Sequence, residues 1–205
     1  MLARGGGEAS AAAGNGLLGG SQTGARVLFR VNEDVARPLS LTVRASSPLR
    51  RDGVEAAAGI EWQPFADIPV RVLAERRQRL SGEGRSAFAL LAHGGVSERP
   101  VAAGLRLDAY AQAGVVGVRG RDVFADAGAT LVHPLNSDRP DGLSIGAGAW
   151  GGVQPGASRL DVGPRLTTTL AAAGGRARVS LDWRFRVAGA SVPASGPSLT
   201  VGTDF

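Results

Sequence analysis

The stretch RARVSLDWRFRVAG, residues 176–189, alternates polar and apolar residues over most of its length. Its apolar positions are Ala177, Val179, Leu181, Trp183, Phe185 and Val187, and its polar positions are Arg176, Arg178, Ser180, Asp182, Arg184 and Arg186. Side chains of a strand alternate between its two faces, so this pattern predicts a strand with one apolar and one charged face. A soluble sheet buries the apolar face, whereas a membrane barrel turns it towards lipid.

The composition excludes several function classes. The chain has no cysteine, which excludes disulfides and thiolate metal sites. Its net charge is +5 and all 23 basic residues are arginine, but they lie singly along the alternating segments, so a nucleic-acid partner is not expected. No apolar run reaches the roughly 18 residues of a transmembrane helix, and glycines interrupt any signal peptide near the start of the sequence.

The same alternation recurs along the chain between segments rich in turn residues. The predicted strands are 24–32, 38–47, 53–63, 68–79, 85–95, 103–116, 121–132, 142–153, 158–171, 175–188 and 197–205. We therefore predict an all-β protein, an antiparallel up-and-down transmembrane β-barrel of about 10–12 strands over residues 24–205. Residues 1–23, which are rich in glycine, alanine and serine, are predicted to be a flexible lead-in or linker.

Three features favour the membrane interpretation. Several predicted strands run about 10 to 14 residues, longer than the roughly 5 to 6 of soluble sheets. The charged face mixes acids with arginine, as an enclosed polar lumen does, and the last strand alternates to a final phenylalanine. The predicted lumen-facing residues are Arg71, Glu75, Arg77, Arg106, Asp108, Asp126, Asp161, Arg165, Arg176, Arg178, Asp182, Arg184 and Arg186.

Two alternatives stay open at this point. The first is a soluble β-barrel or sandwich that binds a ligand or protein partner and uses the apolar face as its core. The second is an incomplete barrel, which an odd number of strands or an unpaired first strand at 24–32 would indicate. Both alternatives share the predicted alternation, so the sequence pattern does not separate them from a complete membrane barrel.

The last strand, PSLTVGTDF, resembles the sorting signal of bacterial outer-membrane proteins. The match consists of Phe205 as the last residue, with Thr203, Val201 and Leu199 at every second position before it. The resemblance implies location in the bacterial outer membrane, contact with outer-membrane lipid, and recognition by the barrel-assembly machinery.

A second resemblance covers residues 25–205. The stretches GVEAAAGIEWQPFADIPVRVLAERR (53–77), ASRLDVGPRLTTTL (157–170) and RVSLDWRFRVAGASVPASGPSLTVGTDF (178–205) are its basis. They resemble C-terminal barrel domains of tetratricopeptide-repeat outer-membrane proteins, including the phage adsorption protein A family and, more distantly, cellulose and exopolysaccharide export proteins. The resemblance implies a barrel that anchors an export or adsorption protein, with polysaccharide as a candidate partner.

The predicted lumen allows two interpretations. Its arginines could create a positive field that favours anionic solutes or acidic polysaccharide. Alternatively they pair with the acids of neighbouring strands and fill a closed interior, which the narrowness of a barrel of about 10–12 strands favours. The tryptophans Trp62 and Trp183 are expected on the lipid side, whereas Trp150 is expected to pack inside unless the register slips at Gly151 and Gly152.

Enzyme chemistry is not expected from the sequence. Neither His93 nor His133 belongs to a convincing catalytic or metal-binding pattern, and a grouping of His133 with Ser137 and Asp138 is typical of an ordinary polar loop. We therefore predict no catalytic residue, no metal and no cofactor.

Overall fold

A computed structural model describes residues 3–5, 22–48, 53–82, 86–117, 120–135, 142–172 and 175–204. These residues form one antiparallel sheet and a single three-residue 3-10 turn, Ala102–Gly104. The strands are β1 (Ala3–Gly5), β2 (Gln22–Arg30), β3 (Leu39–Pro48), β4 (Gly53–Trp62), β5 (Val70–Gly82), β6 (Ala87–Pro100), β7 (Arg106–Val116), β8 (Asp122–Pro134), β9 (Ser144–Gln154), β10 (Ala157–Ala172), β11 (Gly175–Ala188) and β12 (Gly196–Asp204). The described residues include no helix that is long and apolar enough to cross a membrane.

The strands follow each other in the sheet in the order of the sequence, so the fold is an up-and-down meander. Strands β2 to β12 confirm the all-β prediction and the eleven predicted segments, with ends that shift by a few residues. The largest shift is in β6, which continues to Pro100 through Gly94 and Gly95 instead of ending there. These glycines let the neighbouring strands approach closely: a Cβ on Gly94 would lie 2.2 Å from the carbonyl oxygen of Pro69.

The short strand β1 pairs with β2 through Ala3 opposite Phe29 and Gly5 opposite Val27. It belongs to the stretch 1–23 that the sequence predicts as a lead-in or linker. Of that stretch, the structure describes residues 3–5 and the first two residues of β2.

In a soluble sheet the apolar face is buried and the charged face is exposed, whereas in this sheet the charged face is buried and the apolar face is exposed. We call the face that carries Glu61, Asp161 and Asp182 the charged face, and the face that carries Ile60 and Leu181 the apolar face. The three acids are 2%, 1% and 1% exposed, whereas Ile60 and Leu181 are 53% and 49% exposed. Burial thus follows the charged face, while large apolar side chains lie on the outside.

Contacts between distant strands show that the charged face is concave. Arg178 on β11 reaches Asp108 on β7, four strands away along the sheet. In a flat sheet these strands would be about 19 Å apart, at about 4.8 Å per strand, which is beyond the reach of the two side chains. The sheet therefore curls around its charged face.

A small apolar cluster also lies on this concave face, on β5 to β8. Its members are the buried residues Leu73, Ala87, Ala89, Leu91, Val116 and Phe124. The guanidinium carbon of Arg77 lies 6.0 Å from the centre of the Phe124 ring. The buried core is therefore a mixture of apolar contacts and ion pairs on the inside of the curved sheet.

Candidate functional site: the arginine-rich concave face

Glu61 on β4 is the centre of the first ion-pair cluster. Its Oε2 lies 2.8 Å from Nε2 of His93 and accepts a hydrogen bond from Arg26. Its Oε1 lies 3.5 Å from Nη1 of Arg71. Arg26 and His93 are each two strands away from Glu61, on opposite sides, so one buried carboxylate ties together β2, β4, β5 and β6.

A second cluster, centred on Glu75 of β5, lies next to the first along the sheet. Glu75 accepts hydrogen bonds from Nε of Arg77 at 2.6 Å and from Nη2 of Arg44 at 3.2 Å. Arg44 also donates to Glu55 at 2.9 Å. Because a buried ion is costly unless it is paired, this mutual pairing is what allows charged side chains to fill the concave face.

The third cluster is centred on Asp182 of β11, which is almost completely buried. Arg165 on β10 donates to it through two nitrogens, Nε to Oδ1 at 2.6 Å and Nη2 to Oδ2 at 2.8 Å. Such a two-point contact fixes the orientation of both groups as well as their distance. Arg184 adds a longer contact of 3.5 Å to the same carboxylate, and Arg165 also reaches Thr130 on β8 at 3.3 Å.

Trp150 packs beneath these arginines on the charged face. The guanidinium carbons of Arg184 and Arg165 lie 4.4 and 5.3 Å from the centre of its ring, which are distances for cation–π contact. Glycines make the room: a Cβ on Gly148 would lie 2.5 Å from the Trp150 ring, and one on Gly128 would lie 2.9 Å from it. The expectation that Trp150 packs inside is confirmed, and the strand pairs on both sides of β9 show no register shift there.

A fourth cluster joins β11 to β6 and β7. Nη1 of Arg178 lies 3.2 Å from Oδ1 of Asp108, and its Nη2 donates to Glu98. Asp108 also accepts hydrogen bonds from Ser97 Oγ at 2.8 Å and from the backbone nitrogen of Glu98 at 2.9 Å. Glu98 lies at a register shift of β6 and has a φ of +49°, a conformation that is uncommon outside glycine.

The fifth cluster lies at the end of the sheet where β11 leads into β12. Arg159 donates from Nε to Oδ2 of Asp161 at 2.6 Å and also reaches the carbonyl oxygens of Pro193 and Ala194. Arg186 donates to the carbonyl oxygen of Ser191. Here guanidinium groups hold backbone oxygens of a loop in addition to a carboxylate.

Every residue predicted to face a lumen lies on the charged face of its strand. Most of them take part in the five clusters. Asp126 instead accepts a hydrogen bond from Gln112 at 3.5 Å. Arg71 and Arg106 lie near strand ends, with side chains that are each 44% exposed, and Arg106 approaches Glu98 at 3.9 Å.

Seven ionisable cluster residues lie outside the predicted lumen-facing set, namely Arg26, Arg44, Glu55, Glu61, His93, Glu98 and Arg159. Strict alternation in β6 would place Glu98 on the apolar face, but the register shift between Val96 and Arg99 turns its carboxylate inward. Arg159 could have been found, because it precedes Asp161 by two positions and therefore shares its face.

The residues of the predicted assembly signal and of the polar loop that includes His133 lie on the apolar face or outside the described part of the chain. Leu199 and Val201 of the assembly signal are exposed on β12, whereas the side chain of Thr203 and all of Phe205 lie outside the described residues. The same holds for Ser137 and Asp138, while His133 is exposed. In the part of the chain that is described, no three His, Asp or Glu residues are placed to hold a metal ion.

On the concave face the arginines pair with carboxylates, while the convex face exposes large apolar side chains. The chemistry of the concave face is that of a cross-linked interior in which side chains from strands far apart hold the curvature of the sheet. No family model, no curated protein and no solved structure matches this chain.

Proposed function

We propose that the chain is a membrane-spanning β-barrel domain of the bacterial outer membrane that anchors a longer export or adsorption protein. The observation that carries the proposal is the inverted polarity of the sheet, with charged side chains buried on its concave face and large apolar side chains exposed on its convex face. Contact with water is unfavourable for such a large apolar surface, so another phase or molecule must bury it. A continuous apolar surface around a sheet is suited to contact with lipid.

The height of the apolar surface supports the proposal. On β11 every outward position from Ala177 to Val187 is apolar. At about 3.4 Å per residue the run is about 34 Å long, and at a strand tilt of about 40° it covers about 26 Å of depth. Outer-membrane barrels present an apolar band of about 25 Å.

The distribution of charge on the convex face points the same way. In the described strands, the arginines on the apolar face are Arg76 and Arg99. The guanidinium carbon of Arg76 lies 4.7 Å from the ring centre of Phe88, the second residue of β6, and Arg99 is the second-last residue of that strand. A long arginine side chain near the end of a strand, such as Arg99, can reach the membrane interface with its charged end, whereas Arg76 lies in the middle of β5.

A closed barrel is the form in which a sheet can cross a membrane, because lipid offers no partner to an open edge. Two observations support closure. Cα atoms of β1 come within 8 Å of Cα atoms of β12. The Arg178 to Asp108 contact also requires strong curvature between β7 and β11.

Within this proposal, the interior serves as an anchor better than as an open passage for a saccharide chain. Glu55, Glu61, Glu75, Asp108, Asp161 and Asp182 all hold arginine side chains. Most of these pairs line the wall, and the pair of Arg178 with Asp108 joins strands four apart, so it narrows the interior that a polymer would have to pass. The exposed Leu199 and Val201 of β12 fit recognition by the barrel-assembly machinery, and lipid is the partner of the convex face.

The alternative of a soluble barrel or sandwich needs the apolar face as its core. Most large side chains of that face are exposed in the described strands and the others are only partly buried, so the face does not form a core there.

Extraction from membranes and gel migration test the proposal. Expressed with an export signal, the chain should require detergent for extraction and should migrate differently on a gel before and after boiling, as a detergent-resistant barrel does. A chain that stays monomeric and folded in buffer without detergent would contradict it. In vesicles, brominated lipids should quench Trp183 on the convex face but not Trp150 on the concave face, each measured in a variant that retains only that tryptophan.

A further inference from the structure

The loop of residues 189–195 folds over the end of the charged face instead of extending away from it. Ser191 within this loop is only 4% exposed, although it lies between strands in an otherwise exposed segment. Its hydroxyl donates to the carbonyl oxygen of Ser158 at 2.8 Å. The loop is therefore fastened to the start of β10 as well as to the strands that it connects.

Two arginines of the charged face hold the loop from below. Arg159 reaches the carbonyl oxygens of Pro193 and Ala194, and Arg186 reaches that of Ser191. The loop can come this close because residue 189 is glycine: a Cβ there would lie 2.1 Å from the carbonyl oxygen of Ser158, and its φ is +89°. Glycine at position 189 thus allows the loop backbone to lie close to the backbone of Ser158.

The hydrogen-bond partners of these two arginines differ from those of the other arginines on the charged face. Arg159 has the carboxylate of Asp161 beside it, but Arg186 has no carboxylate within ion-pair distance among the described residues. A guanidinium commonly binds a carboxylate or phosphate through two parallel charge-assisted hydrogen bonds, a contact that a single carbonyl oxygen does not give. Two guanidinium groups thus face one carboxylate, Asp161, which pairs with Arg159 and lies opposite Arg186 in the sheet. Neutral loop oxygens take the remaining donor positions, where an anion would bind more tightly.

We propose that residues 189–195 form a lid over an oxyanion-binding site made by Arg159 and Arg186, and that a carboxylate or phosphate group opens the lid by taking over the guanidinium contacts. The ligand class follows from the forked donor geometry of arginine, which matches both oxyanions. The proposal of the lid and its site is based on the contacts of β10 and β11 with the loop. In the proposed barrel, the lid covers one end of the interior, and binding of the ligand opens it.

Cysteine labelling tests the lid directly, because the chain has no native cysteine. The full chain, folded in detergent micelles, would carry either Ser191→Cys or Val192→Cys, and a maleimide would report the accessibility of each thiol. Ser191 is 4% exposed and Val192 is 56% exposed, so the two neighbours form a matched pair. With the lid closed, Cys at position 191 should react about tenfold more slowly than Cys at position 192.

Three probes distinguish the sources of the anion: inorganic phosphate, an oligomer of galacturonic acid, and a neutral maltooligosaccharide of the same length. We expect phosphate, the acidic oligomer or both to raise the labelling rate at position 191 several-fold, with no effect of the neutral oligomer. In the background of Arg159→Gln and Arg186→Gln, labelling at position 191 should be fast without any anion and insensitive to it.

Equal labelling of positions 191 and 192 in the absence of anion would overturn the closed lid. Labelling at 191 that neither anion accelerates would overturn the oxyanion site. These readouts do not depend on whether the chain spans a bilayer. If the extraction and gel experiments fail and the labelling pattern is as expected, the membrane function is rejected and the lid is kept. If those experiments succeed and the labelling pattern is not as expected, the lid is rejected and the membrane function is kept.

Discussion

Arg178 on β11 and Asp108 on β7 approach within 3.2 Å, although three strands of the sheet separate them. Asp108 is further held by Ser97 and by the backbone of Glu98, so the contact joins β11 to both β6 and β7. An interaction of this kind forms only when the sheet has curled, and it stabilises the curled form. Among the ion pairs described for the concave face, the contact of the same Arg178 with Glu98 on β6 is the one that spans more strands.

The first prediction concerns the coupling between these two residues. We expect Arg178→Gln and Asp108→Asn each to lower the free energy of unfolding, and the double variant to lose less than the sum of the two. Both side chains are partly exposed, so the coupling energy should be about 1 kcal/mol. Urea unfolding of the four proteins in detergent micelles measures it. Strictly additive losses would mean that the two groups do not interact in the folded protein.

The second prediction concerns the buried carboxylate of Asp182. Asp182→Asn removes a charge that Arg165 contacts through two nitrogens and Arg184 through one, and leaves those guanidinium groups buried without their counterion. The free energy of unfolding should fall by about 3–5 kcal/mol. Asp67→Asn, in the exposed loop between β4 and β5, is the matched control and should change it by less than about 0.5 kcal/mol. Similar values for the two variants would show that Asp182 is not a central link of the cluster.

The third prediction separates lipid from water as the cover of the apolar face. Leu181 lies at the middle of β11 and Val187 lies near its end, and both are exposed. In a membrane barrel, Leu181→Arg should cost about 2–4 kcal/mol and Val187→Arg about 0–1 kcal/mol. An exposed site in water would tolerate either change within about 0.5 kcal/mol. Refolding into lipid vesicles at a series of urea concentrations gives both values, and a negligible cost at Leu181 would argue against a membrane span.

The fourth prediction concerns the glycines that make room for Trp150. A Cβ on Gly148 would lie 2.5 Å from the Trp150 ring and 2.6 Å from Thr130 Cγ2, so Gly148→Ala should displace the ring and lower the free energy of unfolding by about 1–3 kcal/mol. Gly151 lies on the same strand but on the other face, and a Cβ there would come no closer than 3.4 Å to Leu160. Gly151→Ala should therefore be tolerated. Equal stability of the two variants in thermal unfolding would show that Trp150 is not tightly packed.

The regular part of the fold could be predicted from the sequence because it depends on local alternation. Strands β2 to β12 and the face of each predicted lumen residue follow from the period of two. The inward carboxylate of Glu98 could not be predicted in this way, because a register shift in β6 changes which side of the sheet the residue faces. The inward fold of residues 189–195 could not be predicted either, since it depends on Arg159 of β10 meeting the backbone oxygens of Pro193 and Ala194, which lie more than 30 residues further along the chain.

The sequence by itself determined where the strands run and which residues share a face, because both depend only on the direction in which successive side chains leave the backbone. Which face becomes concave, and which arginine meets which acid, was decided by the tertiary structure. Arg178 is 70 residues from Asp108 in the chain, and only the curvature of the sheet brings them together. Such pairings depend on the positions of strands that are not neighbours, and local alternation carries no information about them.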